Sequence, residues 1–158
     1  MSIALALLLA LSGNQGKSPW TPLKMETAQA GEGVTLSKQA DGSLLAEGPN
    51  PAKNTYTVTT RTAMKGVTGF RLDAIPDPSL PKSGPGRHPS GNFVLTEFKV
   101  QVGEGTEARA VELRNVGSDY SQIEWKPAGM VDGKDDTGWA IAPQEGRLHV
   151  AVFETASP

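Results

Sequence analysis

Short apolar runs separated by turn residues make up most of the chain after residue 20. No stretch of about 12 residues there repeats apolar positions at helical spacing, and several runs alternate apolar and polar side chains instead. The pattern predicts strands at residues 34–38, 44–47, 55–60, 67–75, 93–102, 108–116, 122–126 and 148–154. Many short strands of this kind favour an all-β chain arranged as an antiparallel β-sandwich.

Turn residues lie between the predicted strands. Asp41-Gly42 lies between two of them and predicts a hairpin turn, because glycine accepts the positive φ that such turns require. Residues 76–92, PDPSLPKSGPGRHPSGN, are so rich in proline and glycine that regular structure is excluded. This segment is predicted to be a long, stiff surface loop.

Size and composition indicate one module. The chain has 158 residues, 37% of them hydrophobic, with 18 glycines and 12 prolines. This length suits a single domain with its own core, and the glycine and proline content agrees with many turns. No internal repeat marks a second unit, so residues 20–158 are interpreted as a single β-sandwich module.

The N-terminal segment is the most apolar part of the chain. Residues 3–11, IALALLLAL, are too few to span a bilayer but are typical of the core of a secretory signal. Residues 1–19 are therefore predicted to be a signal segment, and the protein is expected to be secreted, periplasmic or at the cell surface. No Lys or Arg precedes the apolar run, so a buried helix end or a fragment of a longer chain stays open.

Charge and residue types argue against several functions. Fifteen basic and 17 acidic residues give a net charge of −2, without the basic run that nucleic acid binding requires. The chain has no cysteine, and its histidines, His88 and His149, belong to no catalytic motif. We therefore expect a non-enzyme, although a carboxylate pair meeting across a cleft, as in glycosidases, stays open.

An aspartate-rich segment is the candidate for metal binding. Residues 130–141, MVDGKDDTGWAI, place Asp132, Asp135, Asp136 and Thr137 close together before a tryptophan. Calcium prefers six to eight oxygen ligands, and these side chains offer part of such a set. The alternative is a turn in which the aspartates bind their own backbone.

Aromatic residues and one arginine are the candidates for binding a small ligand. An aromatic ring beside polar groups suits the face of a sugar. The aromatic candidates are Trp20, Tyr56, Tyr120, Trp125 and Trp139, of which Trp139 is expected in the core because it precedes Ala140 and Ile141. Arg87 either binds a carboxylate or phosphate, or pins the long loop to an internal acid. Arg87, Tyr56 and Trp125 are the predicted ligand-binding residues.

Three segments resemble a region of large planctomycete surface proteins. They are DGSLLAEGPNPAKNTYTV (41–58), VTGFRLDAIPDPSLPKSGPGRHPSGNFVLTEFKV (67–100) and the stretch from SDYSQIEW to HVAVFE (118–154). In that family the region lies between planctomycete-specific domains, often in chains with a c-type cytochrome domain. The resemblance implies that neighbouring domains are partners. In the family, further strands follow the segment that ends here at residue 154, so the resemblance implies a C-terminally truncated module that lacks its final strands.

Two shorter segments resemble discoidin and coagulation-factor C-type domains, which are galactose-binding-like jelly rolls. NFVLTEFKV (92–100) is similar to a strand of those domains, and MVDGKDDTGW (130–139) is similar to a loop near their start. Their order is reversed here, as in a circular permutation. The resemblance implies a structural Ca²⁺ held by Asp132, Asp135, Thr137 and Glu97.

The function expected from these observations is a non-catalytic extracytoplasmic module that binds carbohydrate or another cell-surface polymer. The first alternative is a structural domain that positions its neighbours in a larger surface protein. A third is an accessory to a hydrolase or redox protein, with the chemistry supplied elsewhere. Sugar binding predicts an aromatic residue and convergent polar groups on one concave face, whereas a structural role predicts a flat polar surface or an apolar patch.

Overall fold

The computed structural model describes the backbone of Leu5–Leu11 and the whole of residues 20–158. Strands and short 3-10 helices are its only regular elements, which confirms the all-β class and is consistent with a β-sandwich. The strands are β1 Leu5–Leu11, β2 Trp20–Pro22, β3 Met25–Ala30, β4 Thr35–Lys38, β5 Leu44–Glu47, β6 Tyr56–Thr60, β7 Val67–Ala74, β8 Val100–Val102, β9 Arg109–Val111, β10 Leu113–Ser118 and β11 His149–Thr155. The 3-10 helices are Pro81–Ser83, Gly105–Glu107 and Pro127–Val131.

Most strands belong to one antiparallel sheet. Its order is β10-β11-β7-β1-β5-β4, and β2 also pairs with β1. Strands β3 and β6 form a separate antiparallel pair, as do β8 and β9. Strands β7 and β1 are central, so the ladder on each side of them holds the sheet together.

Strand β1 lies within the predicted signal segment. Its backbone pairs with β7 from Leu5↔Ala74 to Leu11↔Val67, and its other edge pairs with β2 and β5. The signal interpretation stays a prediction, and residues 1–4 and 12–19 lie outside the described residues. Within the described part of the chain, no helix is long and apolar enough to cross a membrane.

The core lies on one face of the large sheet. Phe70, Leu72 and Ala74 alternate along β7, and Ala151 and Phe153 along β11, because successive strand side chains point to opposite faces. They pack against buried residues from the second half of the chain: Phe93, Met130, Trp139 and Ile141. On the other face of β7, Arg71 Nε donates to Asp73 Oδ1 at 2.7 Å.

Trp139 is the largest fully buried side chain, which confirms that it belongs to the core. Its indole N–H donates to the Tyr120 carbonyl oxygen at 2.8 Å, so the polar atom of the ring is satisfied. The ring meets Phe93 edge to face, with the centroids 5.1 Å apart. Trp139 therefore contributes buried apolar area, a hydrogen bond and an aromatic contact to the core.

The layer opposite the sheet is mostly irregular, and this corrects two predicted strands. Of residues 93–102, only Val100–Val102 form a strand, while Leu95 and Trp139 exchange two backbone hydrogen bonds of 2.9 Å as an isolated bridge. Residues 122–126 form a turn in which the Trp125 N–H donates to Gln122 O at 3.1 Å. Glu124 has a φ of 73° there, which a strand does not accommodate.

The proline-rich loop is more compact than the sequence indicates. Gly86 N donates to Gly91 O at 2.9 Å and Gly91 N donates to His88 O at 2.7 Å, so the loop folds back on itself. A Cβ on Gly86 would lie 2.0 Å from the carbonyl oxygen of Asn92, so only glycine fits this approach. Leu80 packs against Leu45 and is buried, and the loop is therefore partly internal.

Candidate functional site

An open groove with a volume of about 370 Å³ lies across β10, β11 and β7 beside β2. We call it the Trp20 groove. Backbone register brings its parts together, because Trp20 and Gly69 both pair with Ala10, and Gly69 also pairs with Glu154. The lining residues are Trp20, Thr68, Gly69, Arg114, Asn115, Val152, Phe153, Glu154, Thr155 and Pro158.

Two irregularities in strand pairing coincide with the groove. The register of β10 on β11 shifts between Arg114 and Gly117, and Asn115 has a φ of 47° there. The register of β1 on β7 shifts between Ala10, which pairs with Gly69, and Leu11, which pairs with Val67, so the irregularity lies at Thr68. A bulge of this kind bends its strand and turns a side chain out of the regular alternation. Asn115 and Thr68 both line the groove.

Gly69 allows β7 and β11 to approach each other beneath the groove. A Cβ at this position would lie 2.6 Å from the carbonyl oxygen of Phe153, closer than a real side chain atom can come. The concave shape therefore depends on a residue without a side chain at the crossing of these strands.

The polar groups of the groove supply both hydrogen-bond donors and acceptors. Asn115 Nδ2 donates to Glu154 Oε2 at 2.6 Å, which fixes the carboxylate against β10. Arg114 is the direct cross-strand neighbour of Glu154, and among the described residues its guanidinium has no ion-pair or hydrogen-bond partner. The indole of Trp20, which is half-buried, adds an aromatic surface. Together these groups match a ligand with apolar faces and many hydroxyls.

The predicted ligand residues Arg87 and Tyr56 are brought together by the structure. The Arg87 guanidinium hydrogen-bonds Tyr56 and donates to the carbonyl oxygen of Gly48. Burial raises the pKa of Tyr56 to about 12, although the charge and hydrogen bond of Arg87 act in the opposite direction. Asn50 Nδ2 also donates to the Arg87 carbonyl oxygen at 3.0 Å. Arg87 thus pins the loop through a backbone carbonyl rather than through an internal acid.

Trp125, the third predicted ligand residue, lies in the turn before the 3-10 helix Pro127–Val131 and is half-buried. Among the described residues, no hydrogen bond or ring contact joins its side chain to Arg87 or Tyr56. Of the predicted trio, Arg87 and Tyr56 are in direct contact with each other, and a shared site with Trp125 stays a prediction.

The predicted metal ligands Asp132 and Thr137 are in direct contact. Thr137 Oγ1 donates to the Asp132 carboxylate, with distances of 2.8 and 2.9 Å to its oxygens, and the backbone N–H of Lys134 donates to Oδ1 at 3.0 Å. The Thr137 and Lys134 hydrogen bonds hold the pKa of Asp132 below its usual value. This is the geometry of a turn closed by its own aspartate.

Asp135 points to a different partner. Lys53 Nζ lies 2.6 Å from Asp135 Oδ2, and the hydrogen bond and charge of Lys53 lower the pKa of this carboxyl. Both side chains are well exposed, so this ion pair contributes little to stability. Asp135 is therefore not part of the hydrogen-bond cluster that Asp132 forms with Thr137.

Glu97 lies on a segment that runs beside both ends of the aspartate loop. Its neighbour Phe98 donates its backbone N–H to Met130 O at 2.7 Å, and Leu95 bridges Trp139. Glu97 Oε2 is 3.4 Å from Lys99 Nζ, whereas Oε1 is buried without a hydrogen-bond partner among the described residues. In residues 20–158, no group of three or more His, Asp or Glu side chains is arranged as a metal site.

An aspartate–histidine pair, in which the histidine is buried and the aspartate exposed, was not predicted from the sequence. His149 is fully buried, with Nδ1 2.9 Å from Asp119 Oδ2 and Nε2 2.7 Å from the Gln144 carbonyl oxygen. Asp119 Oδ1 also accepts the Val150 N–H at 2.8 Å. Because both ring nitrogens are engaged by the protein, the imidazole fastens the 142–148 segment to β11. No sequence motif indicates this pair, because Asp119 and His149 are 30 residues apart.

Comparisons with protein-family models, with curated proteins and with solved structures found no match. The strands define an all-β protein.

Proposed function

We propose that this protein is a non-catalytic module that binds carbohydrate through the Trp20 groove. The observation that carries the proposal is a concave face on which an aromatic residue and convergent polar groups lie together. The scaffold that we propose is a jelly roll of the galactose-binding-like kind, and the location is outside the cytoplasm: secreted, periplasmic or on the cell surface.

The chemistry of a pyranose ring complements these lining residues. The ring has apolar C–H faces, which pack on an indole, and a rim of hydroxyls, which both donate and accept hydrogen bonds. Arg114 and Asn115 offer donors, and Glu154 offers an acceptor. The volume of about 370 Å³ lies near the lower end of the range for small-molecule sites. The groove therefore suits one or two sugar units of a longer polymer.

Replacing Trp20 with alanine is expected to weaken sugar binding about tenfold, because the stacking surface is lost and aromatic contacts contribute about 0.5–1.5 kcal/mol beyond buried area. Saturation-transfer NMR with methyl glycosides at millimolar concentration measures the affinity. Trp125→Ala is the matched control, since this residue lies outside the groove. Loss of binding in Trp125→Ala with retention in Trp20→Ala would place the site elsewhere.

A structural Ca²⁺ between Glu97 and the aspartate loop is the second part of the proposal. The buried, unpartnered Oε1 of Glu97 supports it, because burying a carboxylate oxygen without a partner is costly. Glu97, Asp132, Asp135 and Thr137 would hold the ion, which requires Asp135 to leave Lys53. The ion would join two segments of the irregular layer and stabilise them.

Calcium at about 100 times its dissociation constant is expected to add about 2.7 kcal/mol to the unfolding free energy. For a chain of this size, that corresponds to a rise of about 5–10 °C in the thermal midpoint. Glu97→Gln should remove the response, whereas Glu107→Gln, an exposed acid in another loop, should retain it. If the thermal midpoint is the same in calcium and in chelator, the aspartate segment binds no calcium and is only a turn.

A further inference from the structure

The outer edge of β6 is not covered by another strand. In the described part of the chain, β6 pairs with β3 alone, and Thr57, Val58 and Thr59 make no backbone hydrogen bond outside that ladder. Successive residues of a strand direct their N–H and C=O groups to opposite sides, so some of these groups point away from β3. They are therefore available to a further strand.

Strand β6 lacks the features that normally protect a sheet edge. Residues 54–60, NTYTVTT, contain no charged residue and no proline. Threonine, tyrosine and valine all favour strands, and the side chains of Thr57 and Thr59 are exposed. Natural edges are usually blocked by charges, prolines or bulges, so this edge is suited to pairing.

The edge strands of the large sheet, β4 and β10, do carry such protection. Strand β4 ends on the charged Lys38, and the side-chain amide of Gln39 donates to the Ser37 carbonyl oxygen at 3.0 Å. Strand β10 is bent by its register shift, where Asn115 has a positive φ. Strand β6 has neither kind of protection.

The sequence of β6 is complementary to itself. An antiparallel alignment centred on Val58 places Thr57 opposite Thr59 of a second copy, and threonine pairs across strands are stabilising. Arg61 then lies opposite Thr55, so no like charges face each other. Residues paired in this way are an even number of positions apart. Backbone groups directed outward on one copy therefore meet those directed outward on the other.

We infer that β6 is a dimerisation edge, at which a second copy of this chain adds its own β6 in antiparallel orientation. The two β3–β6 pairs then form one four-stranded sheet, and the interface is the same surface on both copies. A single strand pair buries little area, so the dimer forms reversibly and weakly. The inference is independent of carbohydrate binding.

Sedimentation equilibrium of the full chain at low salt, from micromolar to millimolar protein, tests the inference. The wild type is expected to change from monomer to dimer across this range. Thr57→Lys/Thr59→Lys places two pairs of lysines opposite each other and should weaken dimerisation at least about tenfold. Thr57→Lys/Thr59→Glu places each lysine opposite a glutamate instead, and should dimerise at least as well as the wild type.

The matched control carries the same added charge on the neighbouring strand. Thr27→Lys/Gln29→Lys changes two exposed positions of β3, which pair with Thr59 and Thr57 inside one copy. These lysines do not face each other across the dimer, so the wild-type association should be kept at physiological salt. Circular dichroism checks that every variant is folded.

A single introduced thiol reports on the alignment, because the chain contains no cysteine. In the dimer, Val58 lies directly opposite its own copy, where facing Cα atoms are about 5 Å apart and within reach of a disulfide. Val58→Cys is expected to form a covalent dimer on mild oxidation. Gln29→Cys, at an exposed position of β3, should stay monomeric.

Dimerisation that the facing lysines weaken and the lysine–glutamate variant retains supports the inference. A wild type that stays monomeric at millimolar protein overturns it. A dimer that forms equally well in Thr57→Lys/Thr59→Lys and in the wild type also overturns it, because the interface then lies on another surface. Either negative result leaves carbohydrate binding at the Trp20 groove untouched.

Discussion

Removing residues 1–19 is expected to abolish the cooperative thermal unfolding of this protein. The deletion takes out β1, which pairs with β7 along its whole length and with β2 and β5 on its other edge. The free energy of unfolding of a domain is only about 5–15 kcal/mol, so the loss of a central strand is expected to cost more than the whole of it. Differential scanning calorimetry should show no transition, and circular dichroism should show reduced strand content.

A point variant tests the same strand without shortening the chain. Leu8 pairs with Arg71 on one side and Pro22 on the other, so a proline there removes a donor from the sheet interior. Leu8→Pro should be severely destabilised, whereas Leu8→Val, which keeps the N–H, should fold. A deletion variant with an unchanged midpoint would show that the module folds without β1, as a cleaved signal segment requires.

Trp139→Ala is expected to lower the unfolding free energy by about 3–5 kcal/mol, because it leaves a large cavity in the core. It also leaves the carbonyl oxygen of Tyr120 without its donor and removes the edge contact with Phe93. At about 2–4 °C per kcal/mol for a chain of this size, the midpoint should fall by about 6–20 °C. Chemical denaturation followed by circular dichroism measures the change.

Two variants separate the contributions of Trp139. Trp139→Phe keeps an aromatic ring but loses the indole N–H, so its cost should lie between that of wild type and that of Trp139→Ala. Trp125→Ala truncates a half-buried tryptophan and should cost clearly less. Equal losses for Trp125→Ala and Trp139→Ala would contradict the position of the core.

The alternation of apolar and polar residues located four strands of the seven-stranded sheet. It covered β10 only in part, β2 was not predicted, and β1 was interpreted as the core of a signal segment. The predicted segments 34–38, 44–47, 67–75 and 148–154 correspond to β4, β5, β7 and β11, and 55–60 corresponds to β6. These strands bury one or both faces, and burial is what the pattern reflects. Strand β3, METAQA, was missed because its alanines and exposed polar residues carry little strand preference.

The errors lie where long-range contacts override local pattern. Residues 93–102 are as apolar as a strand, but their partners are the Met130 and Trp139 loops, which offer isolated hydrogen bonds rather than a ladder. Residues 122–126 contain strand-favouring side chains, yet Ile123 is 81% exposed at the tip of a turn. The sequences of these two segments specify neither their pairing partners nor their exposure to solvent.

The Trp20 groove was only partly foreseeable. Trp20 was among the aromatic candidates, but Arg114, Asn115 and Glu154 were not singled out. They converge because of two register shifts and one glycine, which depend on pairing between distant strands. Asn115 gives the single local hint, since asparagine tolerates positive φ better than most residues. Calcium binding and the planctomycete resemblance stay predictions.

Carbohydrate binding at the Trp20 groove is tested by an NMR titration of the isotope-labelled protein with neutral methyl glycosides. We expect millimolar binding, with shifts confined to the indole N–H of Trp20 and the backbone amides of Arg114, Asn115 and Glu154. Shifts clustered at Arg87, Tyr56 or Trp125, or no shifts at saturating glycoside, would contradict carbohydrate binding at the Trp20 groove.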